Sequence, residues 1–474
     1  MAKTENDRLV RVPGGGGGAG MDRFFKISER GSTVRTEVMA GATTFLTMAY
    51  ILFVNPGILG AVPDSAGTTL AFPQVLTVTA LVGGIATIAM GLYANYPFAI
   101  ASGLGLNAFV AFTLVAGYGL TWPEAMGVVV VEGLIITALV LTGLREMIMN
   151  AIPTDLKRAI GIGIGMFLMI IGLVNAGIVV NSDATLVTLS TDLTTLRILV
   201  FAIGLATAIL FTVRKTKGGL LLAILAATVA GVIINEAFAD GAMWAATPGV
   251  GVVPDAVTSS PDFSLVGKFS FGFFSTLGFI TALGLVVAVM LSDFFDTMGT
   301  ANSLADEAGL LADDGTLPDA KKVLLVDSLA AAAGGAASAS SNTTFIESAS
   351  GIGEGGKTGL ASVVTGLLFL ACLFISPIAG VIPAEATAPV LIVVGYLMMQ
   401  GVGEIAWRDP AMGIPALLTV GLMPFTYSIT NGVGAGFISF VFIRLIQGKA
   451  KDVHPLLYVV AVIFLGYFLK GVLA

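Results

Sequence analysis

Cysteine and histidine are almost absent from this chain, since its 474 residues include only Cys372 and His454 of these two types. A single cysteine excludes an intramolecular disulfide, and one cysteine with one histidine cannot build a zinc cluster. The glycine-rich run 351–356 lacks the strand–helix–strand context of a dinucleotide fingerprint. We therefore predict no metal and no cofactor, and a membrane-embedded enzyme is disfavoured because a nucleophile–base pair is missing.

Charge is also scarce. Only 11% of the residues are charged and 56% are hydrophobic, and the mean hydropathy is +0.96. Soluble domains carry about 25% charged residues. Many uncharged stretches reach the roughly 20 residues that a helix needs to cross a bilayer. The composition predicts an all-α polytopic membrane protein, because a membrane β-barrel would show alternation instead of continuous apolar runs. The net charge of −7 suggests no nucleic-acid partner.

The apolar segments predict about fourteen transmembrane spans in two groups of seven. A flexible N-terminal tail, 1–20, precedes the first group, 21–239. An extracytoplasmic loop, 240–270, separates it from the second group, 271–474, in which 345–378 is interpreted as a single span. Because seven is odd, two such groups have opposite orientations, and inverted repeats are typical of secondary transporters.

Basic clusters predict the orientation of the spans. The clusters at 23–35, 157–158 and 214–217 fall on one side of the predicted topology, and lysine and arginine favour the cytoplasmic side. We expect a multi-pass protein of the cytoplasmic membrane with a cytoplasmic N-terminus. The cluster at 444–451 disagrees, because the same count places it outside.

Two polar, glycine-containing segments interrupt apolar spans at corresponding places of the two groups. They are 101–107 (ASGLGLN) and 341–351 (SNTTFIESASG). Non-helical backbone is tolerated at membrane depth only where it is buried in protein or lines a cavity. Each segment is interpreted as a short extended piece that leads into a half-helix, whose N-terminal N–H groups are available to a ligand.

Ionisable residues inside the predicted spans are candidates for function. Glu132 lies in the middle of a predicted span, and a structural hydrogen bond and a place in the transport pathway are the two interpretations of it. Asp293 and Asp296 lie three residues apart on one helix, and Asp296 is preferred as the deeper one. Asp327 is interpreted as an inward-facing structural acid. Asp296, Glu347, Asp293 and Asp327 are the candidates for coupling transport to protons.

Glu347 has the strongest case for binding a substrate, because it lies in the second interrupted segment. A carboxylate accepts two N–H donors from a planar heterocycle, and a nearby aromatic ring, Phe345, can stack on its face. Ser348 follows Glu347, and Asn107 offers a donor and an acceptor from the opposite segment. These groups match a neutral nucleobase. An anion transporter on the same architecture stays as an alternative, although the spans contain no arginine to hold an anion.

Four stretches together resemble the AzgA-like purine permeases of the nucleobase–ascorbate transporter superfamily. They are 36–56, 102–109, 293–300 and 341–359, with the short stretch 23–26 (RFFK) as a fifth, and the resemblance covers nearly everything after residue 20. It implies fourteen spans in two inverted repeats, a core domain and a gate domain, and short antiparallel strands in spans three and ten. The function that it implies is proton-coupled import of adenine, guanine or hypoxanthine, and it allows for a homodimer.

The resemblance also implies particular site residues. Asp296 corresponds to an acid of span eight that holds the base, and Glu347 to an acid of span ten. Asn107 corresponds to the amide of span three, and Gly105 to the small residue beside it. The pair Glu347–Ser348 favours the purine branch over the uracil and xanthine branch, which remains the alternative among nucleobase transporters.

Overall fold

Helices account for most of the regular structure. The computed structural model describes residues 19–143, 152–245, 247, 249–254, 256–312 and 316–473, so the predicted N-terminal tail lies outside the described residues as far as residue 18. The first nine described helices are α1 (Ala19–Phe25), α2 (Val34–Met48), α3 (Ile51–Leu59), α4 (Phe72–Ala89), α5 (Leu104–Ala108), α6 (Trp122–Thr142), α7 (Thr154–Asn175), α8 (Leu196–Val213) and α9 (Gly219–Ala239). Helices α4 and α5 continue as π-helical turns through Met90–Ala94 and Phe109–Gly117.

Ten further described helices follow the loop after α9. They are α10 (Phe273–Leu277), α11 (Phe279–Glu307), α12 (Ala320–Ala336), α13 (Ser348–Ile352), α14 (Gly359–Ala371), α15 (Ser376–Gly380), α16 (Ala384–Met398), α17 (Pro410–Phe425), α18 (Ile429–Ile446) and α19 (Pro455–Leu473). Single 3-10 turns lie at Cys372–Phe374, Met399–Glu404 and Ala450–Asp452. The four described strands are β1 (Ile100–Ser102), β2 (Val179–Ser182), β3 (Leu186–Leu189) and β4 (Asn342–Thr344).

Among the described residues, nine helical segments are long and apolar enough to cross a membrane, and four shorter apolar helices accompany them. The predicted polytopic helical membrane protein is confirmed.

Polar residues mark the helix ends. Thr121 and Glu124 form a reciprocal capping box at the start of α6, and the Asp409 side chain accepts a hydrogen bond of 2.9 Å from the Ala411 N–H at the start of α17. Such caps satisfy N–H groups that have no partner within the helix.

The two interrupted segments form a pair of strands in the protein interior, as the sequence predicts. Strands β1 and β4 pair antiparallel, with Ala101 opposite Thr343, and every residue of both strands is buried. The Gly103 N–H extends the pairing with a 3.0 Å hydrogen bond to the Ser341 carbonyl. Backbone groups at this depth have no water to bond, so each strand supplies the partners of the other.

One predicted span is wrong. Residues 345–378, interpreted as a single span, form two helices, α13 and α14, separated by a turn at 353–358. Three glycines lie in this turn, and Gly355 has a φ of +96°, which residues with a Cβ rarely adopt. The chain therefore turns once more in this region than a single span would allow.

The extra reversal resolves the disagreement of the basic cluster at 444–451. Glu404, which precedes α17, forms an ion pair of 2.7 Å with Arg158 at the start of α7. Helices α17 and α18 pack against each other and are joined by the short turn 426–428, so they run antiparallel. The end of α18 thus returns to the side that carries Arg158, and the cluster lies with the other basic residues.

The helices pack as two groups. In the first group, α6 packs against α11 and α12, and α14 packs against α2 and α4. In the second group, α16 and α17 pack against α7, α8 against α9, and α17 against α18. The strand pair belongs to the first group, because β1 contacts α4 and β4 contacts α12. Fewer contacts join the groups to each other, among them contacts of α5 with α7.

Glu37 fastens α14 to α2 within the first group. Its carboxylate is fully buried and accepts hydrogen bonds from the N–H groups of Lys357 at 2.9 Å and Thr358 at 3.2 Å. These donors lie at the start of α14, where N–H groups lack intrahelical partners. Arg30 adds hydrogen bonds to the carbonyls of Asn95 and Lys357, at 2.6 and 2.8 Å.

We predict that Glu37→Ala destabilises the protein, because it leaves two buried N–H donors without an acceptor. The loss is expected to be about 1–3 kcal/mol. Thermal unfolding in detergent measures it as a lowered midpoint. Glu29→Ala is the matched control, since Glu29 is exposed in its ion pair with Lys26, and an equal midpoint for both variants would contradict the prediction.

Candidate substrate-binding site

A cavity lies between the two helix groups. Its wider part, about 410 Å³, is lined chiefly by α7 and α11 and reaches Lys157 and Arg158 at the basic end of the molecule. Its narrower part, about 90 Å³, lies against the strand pair and is called the recess. The residues that line both parts are Asp296, Thr300, Ile346 and Met398. The recess and the wider part of the cavity therefore adjoin each other at these four residues.

Glu347 lines the recess from the turn between β4 and α13. Its Oε1 atom accepts a hydrogen bond of 2.5 Å from the Tyr50 hydroxyl. The Thr47 hydroxyl lies 3.3 Å from the backbone carbonyl of Glu347, but it is closer to the carbonyls of Thr43 and Thr44 in its own helix, at 3.0 and 2.9 Å. Tyr50, two residues beyond the end of α2, thus holds the side chain of Glu347, while the carboxylate stays accessible from the recess.

Asp296 lines the recess from α11, and its side chain is exposed to the cavity. Asp293, one turn earlier on the same helix, is 1% exposed and does not appear among the residues that line either part of the cavity. The structure thus brings Asp296 and Glu347 together in one recess and places Asp293 in the protein interior.

Asp327 holds β4 in place from α12. Its Oδ1 atom accepts hydrogen bonds of 2.9 Å from both the N–H and the hydroxyl of Thr344. Its Oδ2 atom accepts a bond of 2.7 Å from Thr297 on α11, and the Thr297 hydroxyl also contacts that of Thr343 at 2.7 Å. This buried network connects α11, α12 and β4, and it agrees with the interpretation of Asp327 as a structural acid.

Asn107 is fully buried in α5, behind the residues that line the recess. Its Oδ1 atom lies 2.5 Å from the Ser102 hydroxyl, which also lies 2.6 Å from the Ala339 carbonyl. A hydroxyl has one proton and cannot donate to both acceptors. Exchanging the oxygen and nitrogen of the Asn107 amide removes the conflict, because Nδ2 then donates to Ser102. In either arrangement one amide atom is left for another partner.

Ser348 and Phe345 shape the turn that carries Glu347. The Ser348 hydroxyl accepts a hydrogen bond of 3.0 Å from the Ala99 N–H and donates one of 2.7 Å to the Phe345 carbonyl. Its hydroxyl is thus engaged in tying the start of α13 to the residue before β1. Phe345 is 6% exposed and lines the recess as an apolar wall.

Gly105 lies where α5 packs closely against α7. It lines the recess, and a Cβ added there would lie 2.5 Å from Cγ2 of Ile164 on the second helix group. A contact this close requires the neighbouring side chain or helix to move. The glycine therefore lets the two groups meet beside the cavity.

Sequence reasoning missed Tyr50, Thr300, Val394 and Met398, all of which line the recess. Tyr50 lies in an apolar run, where a tyrosine usually packs in the core. Nothing in the sequence distinguishes an apolar residue that lines a cavity from one that packs between helices. Thr343 and Thr344 fall inside the segment that the sequence singled out, but their contacts with Asp327 depend on the strand pairing.

The fold is that of known transport proteins. The transmembrane domain of BicA, a cyanobacterial bicarbonate transporter, matches with a TM-score of 0.60 at 15% identity, over 85% of this chain and 97% of that one. Murine Slc26a9, an anion transporter solved in an inward-facing state, matches with a TM-score of 0.61 at 10% identity, over 94% of this chain and 74% of that one. At such low identity the likeness establishes the fold alone.

The membrane helices and the fold define a multi-pass membrane protein, and the family and relatives that follow identify it as a transporter and not an enzyme. The sequence model of the Permease family matches residues 35–435, and the chain belongs to that family. The guanine/hypoxanthine permease PbuG of Bacillus subtilis is 39% identical over 459 residues, which are 95% of this chain and 99% of the relative. The adenine permease AdeP of Escherichia coli is 37% identical over 449 residues, 94% and 96% of the two chains. The predicted resemblance to purine permeases is confirmed.

We predict that Gly105→Ala impairs transport, because the added methyl group collides with Ile164 where the helix groups meet. Overpacking of this kind costs about 1–3 kcal/mol. Initial rates of substrate uptake measure the loss. The double variant Gly105→Ala/Ile164→Ala should recover most of the activity, because the second substitution removes the colliding atoms. A double variant no better than Gly105→Ala alone would show that the contact with Ile164 is not the cause.

Proposed function

We propose that the protein imports purine nucleobases, with adenine, guanine and hypoxanthine as the substrate class. The observation that carries the proposal is the recess in which Glu347 and Asp296 face one cavity at the end of the strand pair. Relatives named as adenine permease and as guanine/hypoxanthine permease match nearly the whole chain. They support a purine over the uracil or xanthine alternative.

The donor and acceptor groups of the recess favour a neutral planar base. Purines carry several N–H donors, which suit carboxylate acceptors. The edge of the ring would face Glu347 and Asp296, and its flat face would lie against apolar walls such as Phe345 and Met398. Lysine and arginine line only the wider part of the cavity, at Lys157 and Arg158. An acidic recess of this kind disfavours the anion-transporter alternative.

The transport cycle that we propose uses two inverted seven-span repeats. The first repeat would comprise α2 to α9 and the second α11 to α18, with the strand-bearing segments as spans three and ten. Corresponding packing supports it, since α6 packs against α12 as α14 packs against α4. Helix α19 would then be an additional helix after the fourteenth span. The first helix group would be the core domain and the second the gate domain.

Alternating access would follow from movement of the core against the gate. Substrate would enter the recess from one side and leave through the wider part of the cavity, which opens at the basic end. The basic residues favour a cytoplasmic location of that end and of the N-terminus, in the cytoplasmic membrane. We also propose that the protein forms a homodimer, and this part of the proposal rests on the resemblance to purine permeases alone.

Coupling to protons requires a carboxyl group that gains a proton on one side of the membrane and loses it on the other. Asp296 and Glu347 are the leading candidates, because both face the cavity. Asp327 is less suited, since its carboxylate accepts three hydrogen bonds that fix β4. Asp293, which lies on α11 and is buried in the protein, stays a candidate for carrying the proton.

We predict that Glu347→Ala abolishes purine uptake, because it removes the main acceptor of the recess. Uptake of radiolabelled adenine, guanine, hypoxanthine and uracil in cells without their own nucleobase permeases measures this. Glu236→Ala is the matched control, because Glu236 is exposed near the end of α9. Saturable purine uptake that survives Glu347→Ala would refute the site, and no uptake of any base by well-expressed wild type would refute the function.

A second prediction concerns the coupling ion. If a carboxyl must be protonated for transport, uptake should fall as the external pH rises and should collapse when a protonophore dissipates the proton gradient. Initial rates measured between about pH 5 and pH 8, with and without sodium, test this. Uptake that is insensitive to pH and to the protonophore but requires sodium would overturn proton coupling. It would leave the proposal of purine transport unaffected.

A further inference from the structure

Tyr50 contacts the candidate binding carboxylate directly. It is 1% exposed, lies between α2 and α3, and lines the recess. Its hydroxyl donates the 2.5 Å hydrogen bond to Oε1 of Glu347. A hydrogen bond from a hydroxyl to a carboxylate is stronger than one between two neutral groups. The phenol and the carboxylate therefore act as one hydrogen-bonding unit at the wall of the recess.

The position of Tyr50 is fixed by the helix that follows it. Asn55, one turn further along in α3, is fully buried. Its Nδ2 atom donates to the Thr79 hydroxyl at 2.8 Å and lies 3.2 Å from the Ala339 carbonyl just before β4. Helix α3 is thus anchored to α4 and to the approach of the strand. A tyrosine on such a support can hold a carboxylate in one orientation.

We propose that Tyr50 is a positioning and specificity residue, which converts the protonation state of Glu347 into a hydrogen-bonding pattern that a purine edge can match. The inference rests on the proposed function and deepens it. The ligand class is a heterocycle in which an N–H donor lies beside an acceptor, as it does on the edge of each of the three purines.

The chemistry of the pair follows from its donors and acceptors. While Glu347 is ionised, the phenol donates to it, and the pair offers only acceptors to a ligand. When Glu347 gains a proton, its O–H can donate to the phenol oxygen instead. The phenol O–H is then released to donate to an acceptor of the base, while the remaining carboxyl oxygen accepts the neighbouring N–H. One proton is gained, and no covalent bond of the base changes.

Other ionisable groups surround the pair. Asp296 faces Tyr50 and Glu347 from α11, and Asp327 lies behind Asp296 on α12. Lys157 and Arg158 line the wider part of the cavity from α7. Because Asp296 also faces the recess, the pH profile of Tyr50→Phe should be compared with that of the double variant Asp296→Asn/Tyr50→Phe. A pH dependence that remains in Tyr50→Phe and disappears in the double variant belongs to Asp296.

The test is Tyr50→Phe, which keeps the ring and removes the hydroxyl. We expect the KM for hypoxanthine at acidic pH to rise by about tenfold, since a hydrogen bond to a charged or protonated carboxyl is lost. The maximal rate per transporter should change much less. The KM of wild type should rise with pH, whereas that of Tyr50→Phe should depend on pH more weakly. Tyr93→Phe is the control, because Tyr93 is 54% exposed.

A poorly folded variant does not obscure the result, because KM and its pH profile do not depend on the amount of protein in the membrane. If Tyr50→Phe transports nothing, equilibrium binding of radiolabelled hypoxanthine to the purified variant replaces the uptake assay. A KM or binding affinity equal to wild type, with the same pH profile, would overturn the role of Tyr50. Wild-type purine uptake that requires Glu347 would then still support the proposed function.

Discussion

The antiparallel pairing of β1 with β4 is the constraint on which the rest of the structure depends. Two extended segments cross the apolar interior, and each supplies the backbone partners of the other. The pairing brings residues that are about 240 positions apart in sequence into one layer. It sets the start of α5 and of α13, and so it places Gly105 and Glu347 at the same recess.

Side-chain hydrogen bonds complete this interior. Asp327 caps the end of β4 through Thr344 and joins it to Thr297 on α11. Ser348 ties the start of α13 to the residue before β1. A buried carboxylate without such donors would cost several kcal/mol, so these bonds are a condition for placing polar residues here. In the proposed transport cycle, the same bonds would keep Asp296 and Glu347 in a defined arrangement while the helix groups around them move.

Much of the site could be predicted from the sequence, because a charge or a broken pattern stands out in an apolar chain. Glu347, Asp296 and both interrupted segments were found in this way. The separation of α13 from α14 was missed, since hydropathy joins them across the Gly355 turn. Tyr50 was missed because an apolar run hides which of its residues faces a cavity. The engagement of the Ser348 hydroxyl with Ala99 could not be foreseen either, as it arises only once the strands pair.

The most direct test of the account is an experimental structure of the protein with guanine bound in a lipid environment. The account predicts density for the planar base in the recess, with its edge within hydrogen-bond distance of Glu347 and Asp296 and its face against the apolar wall. Density for the base outside this recess, or an unoccupied recess in a protein shown to bind guanine under the same conditions, would contradict it.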